Sequence, residues 1–190
     1  MLDKSLPYYH IIMKRTTGTP IPRVDLPVGL VFADFAEGDE QDWADILVSV
    51  GEFDTVEDAL ERFREDYLPY REQLERRIQF IRTTDGRAVG TATCWWRNSF
   101  SQRNPSLEWV AVRPEYHGQG LGKAMVSKAM KRMVCLEGDN PVYLHTQTWS
   151  YRAIGIYKKM GFFLLSDGSF GAYPNEYDKA MGVLNGLLKA

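Results

Sequence analysis

The chain has 190 residues, with 23 Lys and Arg against 25 Asp and Glu, a formal net charge of −2 at pH 7 and 44% apolar side chains. That size and balance fit one soluble domain with a well-buried core, and they exclude the broad basic field that nucleic acid needs. No apolar run reaches membrane-spanning length and Met1-Leu-Asp-Lys4 opens no secretory signal, so a cytoplasmic protein without nucleic-acid or membrane partners is expected.

In chain order, residues 1–27 read as an irregular N-terminal extension with one β-like run, Tyr8–Lys14. A Pro- and Gly-punctuated loop follows from Thr16 to Gly29, and Leu30–Phe35 reads as the first core strand. Asp39 stands as N-cap to a helix whose Trp43, Ile46, Leu47 and Val50 recur at helical spacing. Thr55 with Asp58 starts a second helix, with Val56, Ala59, Leu60 and Phe63 on one face. Pro69 interrupts that helix or opens a new turn, and Tyr70–Arg76 continues as helix. Ile78–Arg82 and Val89–Trp96 form a hairpin about Asp85-Gly86, and Asn98–Pro105 reads as loop. Leu107–Val112 is a strand, and the helix after it buries Leu121, Met125, Ala129 and Met133 while leaving Lys123, Ser127, Lys128 and Lys131 more exposed. Val142–Gln147 is the next strand and Tyr151–Met160 the next helix, closed by Gly161. Strands at Phe162–Leu165 and Phe170–Tyr173 and a terminal helix within Asn175–Lys189 complete the chain. Cys94 and Cys135 lack metal-ligand spacing and read as buried thiols in a reducing compartment, so no metal is expected.

The most informative segment is Trp109-Val-Ala-Val-Arg-Pro-Glu-Tyr-His-Gly-Gln-Gly-Leu-Gly-Lys123. A β-branched strand ends at Pro114 and a helix begins directly after a loop with glycine at 118, 120 and 122. Side chains there would block approach to the backbone N–H groups and to the positive end of the helix, so this is an anion site, most naturally for phosphate. The spacing G-x-G-x-G is not the dinucleotide fingerprint, and the Walker loop fails because position 117 is His and Ala124 follows Lys123.

What remains resembles the pyrophosphate loop of the GNAT superfamily, the acyl-CoA-dependent N-acyltransferases, in His117-Gly-Gln-Gly-Leu-Gly122. His117 departs from the Gln or Arg usual in that position. A second match supports the first: Ala153, Tyr157, Gly161 and Phe162 fit the spacing of the same family's later strand and helix. The resemblance covers residues 28–165, with 166–190 adding a C-terminal strand and helix to one domain spanning 1–190. It implies an α/β (α+β) fold: a central mixed, mostly antiparallel, twisted sheet with splayed fourth and fifth core strands, flanked by helices on both faces. It further implies acetyl-CoA as co-substrate and direct acetyl transfer, through a ternary complex, to a primary amine of a small molecule or peptide.

Carried over by position, Gly118, Gln119, Gly120, Leu121, Gly122 and Lys123 offer donors to the pyrophosphate, and Val110, Ala111 and Val112 offer a strand edge to the pantetheine amides. His117 is either a phosphate donor or a solvated loop residue, and Lys123, Lys128, Lys158 and Lys159 either meet outer phosphates or stay solvated. Tyr157 matches the residue that protonates the departing thiolate, which suits a phenol with a pKa of about 10. Ser150 is an N-cap or a cofactor contact. Two candidates stand for the base. His145 on the later strand has an ordinary pKa of about 6.5, and Glu108 precedes the loop strand's Trp109. Phe53, Tyr67, Tyr70, Trp95, Trp96 and Phe100, with Glu52, Asp54 and Glu72, either line the acceptor site, suiting a cationic amine, or belong to the core. The rival readings are an acyl-CoA-binding sensor or scaffold of the same fold without catalysis, and a structural protein dimerising through exposed strands. A homodimer is compatible with either enzyme or scaffold.

Overall fold

The computed structural model describes residues 2–99 and 101–188; Phe100 lies outside them, so its expected place near the acceptor is not addressed. The strands are β1 (His10–Arg15), β2 (Leu30–Asp34), β3 (Ile78–Thr83), β4 (Ala88–Ser99), β5 (Gln102–Val112), β6 (Val142–Gln147), β7 (Phe163–Leu164), β8 (Ser169–Phe170) and β9 (Tyr173–Pro174). The helices are α1 (Glu40–Val50), α2 (Val56–Tyr67), α3 (Leu74–Arg77), α4 (Leu121–Glu137), α5 (Tyr151–Lys159) and α6 (Tyr177–Leu184). Among the described residues no helix is long and apolar enough to cross a membrane.

The chain forms two compact units. The first takes Arg23–Thr93 and Trp109–Ala129; the second takes Leu2–Pro22, Cys94–Glu108 and Met130 onward. The long strands β4 and β5 run through both.

In the first unit the strands pair in the order β2-β3-β4-β5, with β2–β3 and β3–β4 antiparallel. Trp43 of α1 is fully buried and organises the core. Its ring meets Phe63 at 5.2 Å, Trp109 at 5.6 Å, Tyr67 at 6.0 Å and Phe53 at 6.2 Å, mostly edge to face. Thr55 caps α2 as its sequence predicts, its hydroxyl accepting the Asp58 N–H at 3.1 Å. Asp39 takes the N-cap position of α1, its carbonyl accepting the Trp43 N–H at 3.0 Å, but its side chain makes no capping bond. Its carboxylate instead accepts the Ala36 N–H at 2.9 Å and pairs with Arg82 at 2.7 Å. After Tyr67 the chain turns through a short 3-10 segment, Leu68–Gln73, kinked at Tyr70, before α3.

In the second unit the order is β5-β6-β1-β7. β5 and β6 are parallel, in register at Ser106↔Tyr143, whereas β1 is antiparallel to both β6 and β7. The sheet is thus mixed and mostly antiparallel, as expected. The N-terminal region departs from the expectation of an extension outside the core. Ile11, Ile12 and Met13 of β1 are buried, and β1 is paired on both sides. Two further expectations fail. The segment 98–105 is mostly strand, because β4 reaches Ser99 and β5 begins at Gln102. Ser127 is buried, not exposed.

The end of α5 explains one spacing physically. Gly161 has φ +87°, its N–H bonds to the Lys158 carbonyl at 3.1 Å, and the Phe162 N–H bonds to the Tyr157 carbonyl at 3.0 Å. This is a Schellman motif, completed by the Phe162 ring packing on Tyr157 with centroids 6.0 Å apart. The run Tyr157…Gly161-Phe162 is therefore a helix stop that also fixes the tyrosine.

Candidate active site

The glycine loop belongs to the first unit. At its start the Arg113 N–H bonds the Val89 carbonyl at 2.8 Å, Arg113 Nε the Ala88 carbonyl at 2.9 Å, and Arg87 pairs with Glu115 at 2.6 Å. These contacts fix how β5 leaves the sheet and how α4 is entered. Gly118 and Gly120 have φ +82° and +81°, conformations that side-chain-bearing residues rarely adopt, and a Cβ at either would meet nothing within 4 Å. Gly122 lies within α4 and is not in that conformation. Left-handed glycines in front of a helix N-terminus thus leave the space open where side chains would otherwise stand, and the positive end of a helix favours an anion.

His117 is tied to the end of the preceding strand. Its Nε2 lies 2.7 Å from the Val112 carbonyl and donates to it, tying the loop to the strand end. Lys128 Nζ stands 5.4 Å over the Phe32 ring, whereas Lys158 and Lys159 are exposed. Of the strand-edge residues, Ala111 and Val112 bury their side chains and Val110 is half-buried. Trp109, just before them, has φ +49°, a strained conformation inside a strand.

The candidates for proton transfer belong to the second unit. Tyr157 is 8% exposed on α5. Ser150 occupies the N-cap position of α5 without a side-chain capping bond; Gln147 Oε1 instead accepts the Ser150 N–H at 2.8 Å. The capping role expected of Ser150 is thus not made, because Gln147 holds the turn.

His145 is half-buried in β6. Its Nε2 lies 2.8 Å from Nδ1 of His10 on β1, and its ring stacks flat on Tyr173 with centroids 3.7 Å apart and planes 1° apart. Burial, then the nearby His10 and Arg97, lower its pKa to about 3. The ordinary imidazole pKa expected from sequence is therefore not met, and His145 is neutral throughout the physiological range. Glu108 is also engaged: Oε1 accepts from Arg97 Nε at 2.7 Å and Oε2 from Arg97 Nη2 at 2.8 Å, a two-pronged ion pair across the β4–β5 hairpin. A carboxylate held this way is not an available base while the pair is intact.

His10, Tyr173 and Arg97 were not singled out by the sequence. The period of Tyr8–Lys14 signals a strand, but nothing local signals that it pairs with residues 142–147. Of the aromatic residues considered for the acceptor, two belong to the core and Tyr70 is exposed. Tyr67 is fully buried, Phe53 packs on Trp43 and Trp109, and Trp95 is buried and stacked on Trp96 at 4.3 Å. The Trp96 ring already carries the Arg103 guanidinium at 4.2 Å.

The acetyltransferase (GNAT) family model matches residues 43–162, which takes in the glycine loop, β6, α5 and its glycine stop. The chain belongs to the GNAT acetyltransferase family. It is 35% identical over 65 residues to thialysine N-epsilon-acetyltransferase of Bos taurus, and 34% identical over 65 residues to that of Sus scrofa. Each match covers 34% of this chain and only 37% of the relative's length. Among solved structures, a GCN5-related N-acetyltransferase from Sphaerobacter thermophilus superimposes with a TM-score of 0.60 at 23% identity, over 84% of this chain and 50% of that one. A GNAT-family acetyltransferase from Colwellia psychrerythraea does so with 0.61 at 12% identity, over 84% and 54%. At these identities the structural likeness is one of fold.

Proposed function

We propose that this chain transfers an acetyl group from acetyl-CoA directly to a primary amine of a small molecule or peptide, through a ternary complex. The observation that carries this reading is the open space over Gly118 and Gly120, both left-handed, at the N-terminus of α4. In this reading the N–H groups of residues 118–123 hold the pyrophosphate, and the edge of Val110–Val112 orients the pantetheine arm. Ser150 is a further contact for that arm. Tyr157 gives its phenolic proton to the departing thiolate, a role that suits a phenol, whose ordinary pKa is about 10.

His145 is the route by which the amine loses its proton, and Glu108 holds Arg97 beside it. The partial likeness to thialysine acetyltransferases supports an acceptor with an aliphatic primary amine. A panel of thialysine, lysine, other amino acids, polyamines and aminoglycosides, read by thiol release from acetyl-CoA, tests the proposal. Acetylation of at least one amine is expected; tight acetyl-CoA binding with no turnover on any amine favours the sensor. That second reading draws on one observation: neither candidate base is in its ordinary basic state, His145 being depressed and Glu108 paired.

A further inference from the structure

The family loop and the Tyr157 helix leave unexplained why β1 brings a second imidazole against His145. The two rings meet nitrogen to nitrogen at 2.8 Å, so one of them donates. The flat stack on Tyr173 covers a face of the His145 ring, so the ring communicates through its edge nitrogens. His10 occupies Nε2 and leaves Nδ1 as the nitrogen that it does not engage. On the far side, the His10 backbone N–H donates to Glu176 Oε2 at 3.1 Å, and Glu176 in turn pairs with Lys179 of α6 at 3.1 Å. Arg97 of β4, with its partner Glu108 of β5, supplies the remaining charge near His145.

We propose that His10 is a positioning residue that completes a two-imidazole proton relay, taking through His145 the proton that the acceptor amine loses. This rests on the proposed acetyl transfer and on His145 as its proton route. In the resting state His145 carries its proton on Nε2 and donates it to His10 Nδ1, while neutral His10 carries its own on Nε2. The amine proton binds His145 Nδ1 as the Nε2 proton passes to His10 Nδ1. His145 ends neutral in its other tautomer, and His10 ends as imidazolium beside the Glu176 carboxylate. His10 then releases its Nε2 proton to water, and the pair resets as His145 gives its Nδ1 proton to water, the His10 Nδ1 proton returns to His145 Nε2, and His10 takes a proton from water on Nε2. The relay resolves a conflict that a lone His145 would face. Burial and the Arg97 charge oppose a cation on His145, whereas the charge formed in the relay sits on His10, next to a carboxylate.

The direction of the hydrogen bond is tested without any acceptor, by nitrogen-15 NMR of the histidine rings at pH 5 to 8. A proton on His145 Nε2 is expected; a proton on Nδ1, with His10 donating, overturns the relay. With the best amine from the panel, His10→Gln keeps a hydrogen-bonding side chain but carries no proton. Its kcat is expected to fall at least about tenfold with the KM for acetyl-CoA unchanged, and the acidic limb of the pH–rate profile belonging to the pair to disappear. Imidazole added to His10→Ala is expected to restore part of kcat, an effect that a purely structural role does not produce. Wild-type kcat and pH profile in His10→Gln overturn the relay. If His145→Ala also keeps full activity, it is the reading of His145 itself that fails; if His145→Ala is inactive while His10→Gln is not, only the relay fails.

Discussion

Replacing Gly120 by Ala separates backbone strain from ligand exclusion, because the same backbone conformation occurs elsewhere in an open place. Gly120 has φ +81° and Gly86, in the β3–β4 turn, φ +94°; a Cβ at either meets nothing within 4 Å. Each substitution therefore costs stability through the left-handed backbone alone, about 1–2 kcal/mol, or a melting temperature lower by about 2–8 °C in a chain of this size. Only at Gly120 does the added methyl enter the volume assigned to phosphate. Losing one hydrogen bond to a charged phosphate there weakens acetyl-CoA by about 1.5–3 kcal/mol, about ten- to hundredfold in Kd. Titration calorimetry on the folded variants reads the affinity and thermal melts read the strain. The prediction is equal melting shifts with unequal affinities, Gly86→Ala binding as wild type does and Gly120→Val not at all. Wild-type affinity in Gly120→Ala and Gly120→Val refutes the phosphate assignment.

Tyr157→Phe removes one proton donor and is expected to lower kcat by about a hundredfold or more while leaving acetyl-CoA affinity near wild type, read by steady-state kinetics and calorimetry. Gly161→Ala pays the left-handed cost and runs its methyl into Thr19 Cγ2, so unfolding in urea should show a loss of about 2–4 kcal/mol, well beyond Gly86→Ala. His145 makes stability fall in acid. Its folded pKa is about 3 and its unfolded pKa about 6.5, so between those values the unfolded chain binds the extra proton. Stability from this group is fully present above pH about 6.5 and declines by up to about 1.4 kcal/mol per pH unit below it. Denaturant midpoints from pH 7 to pH 4 in wild type and His145→Gln measure that difference; parallel curves would show that His145 titrates normally.

Local spacing was enough to read the glycine loop, the capped start of α2 and the stop at Gly161, since each is decided by neighbours within one turn. The loop expected over 98–105 shows the opposite case. Its Asn, Ser and Pro content suggests a break, yet β4 runs to Ser99 and β5 starts at Gln102, and the pairing of these two neighbouring strands outweighs composition. The chemistry of His145 was less legible still. Its type and place on a strand follow from the sequence, but its charge state depends on His10, Arg97 and Tyr173, whose approach is set by strands β1, β4 and β9. The same holds for Glu108, an ordinary strand carboxylate until Arg97 grips both its oxygens.

The central claim, direct transfer from acetyl-CoA to an amine, is tested by a single-turnover experiment with enzyme in excess over acetyl-CoA, with and without the best acceptor. Direct transfer gives one acetylated amine for each thiol released, no thiol burst when the acceptor is absent, and no acetyl group on the protein by mass spectrometry. A burst without acceptor, or an acetylated side chain on the enzyme, would contradict it.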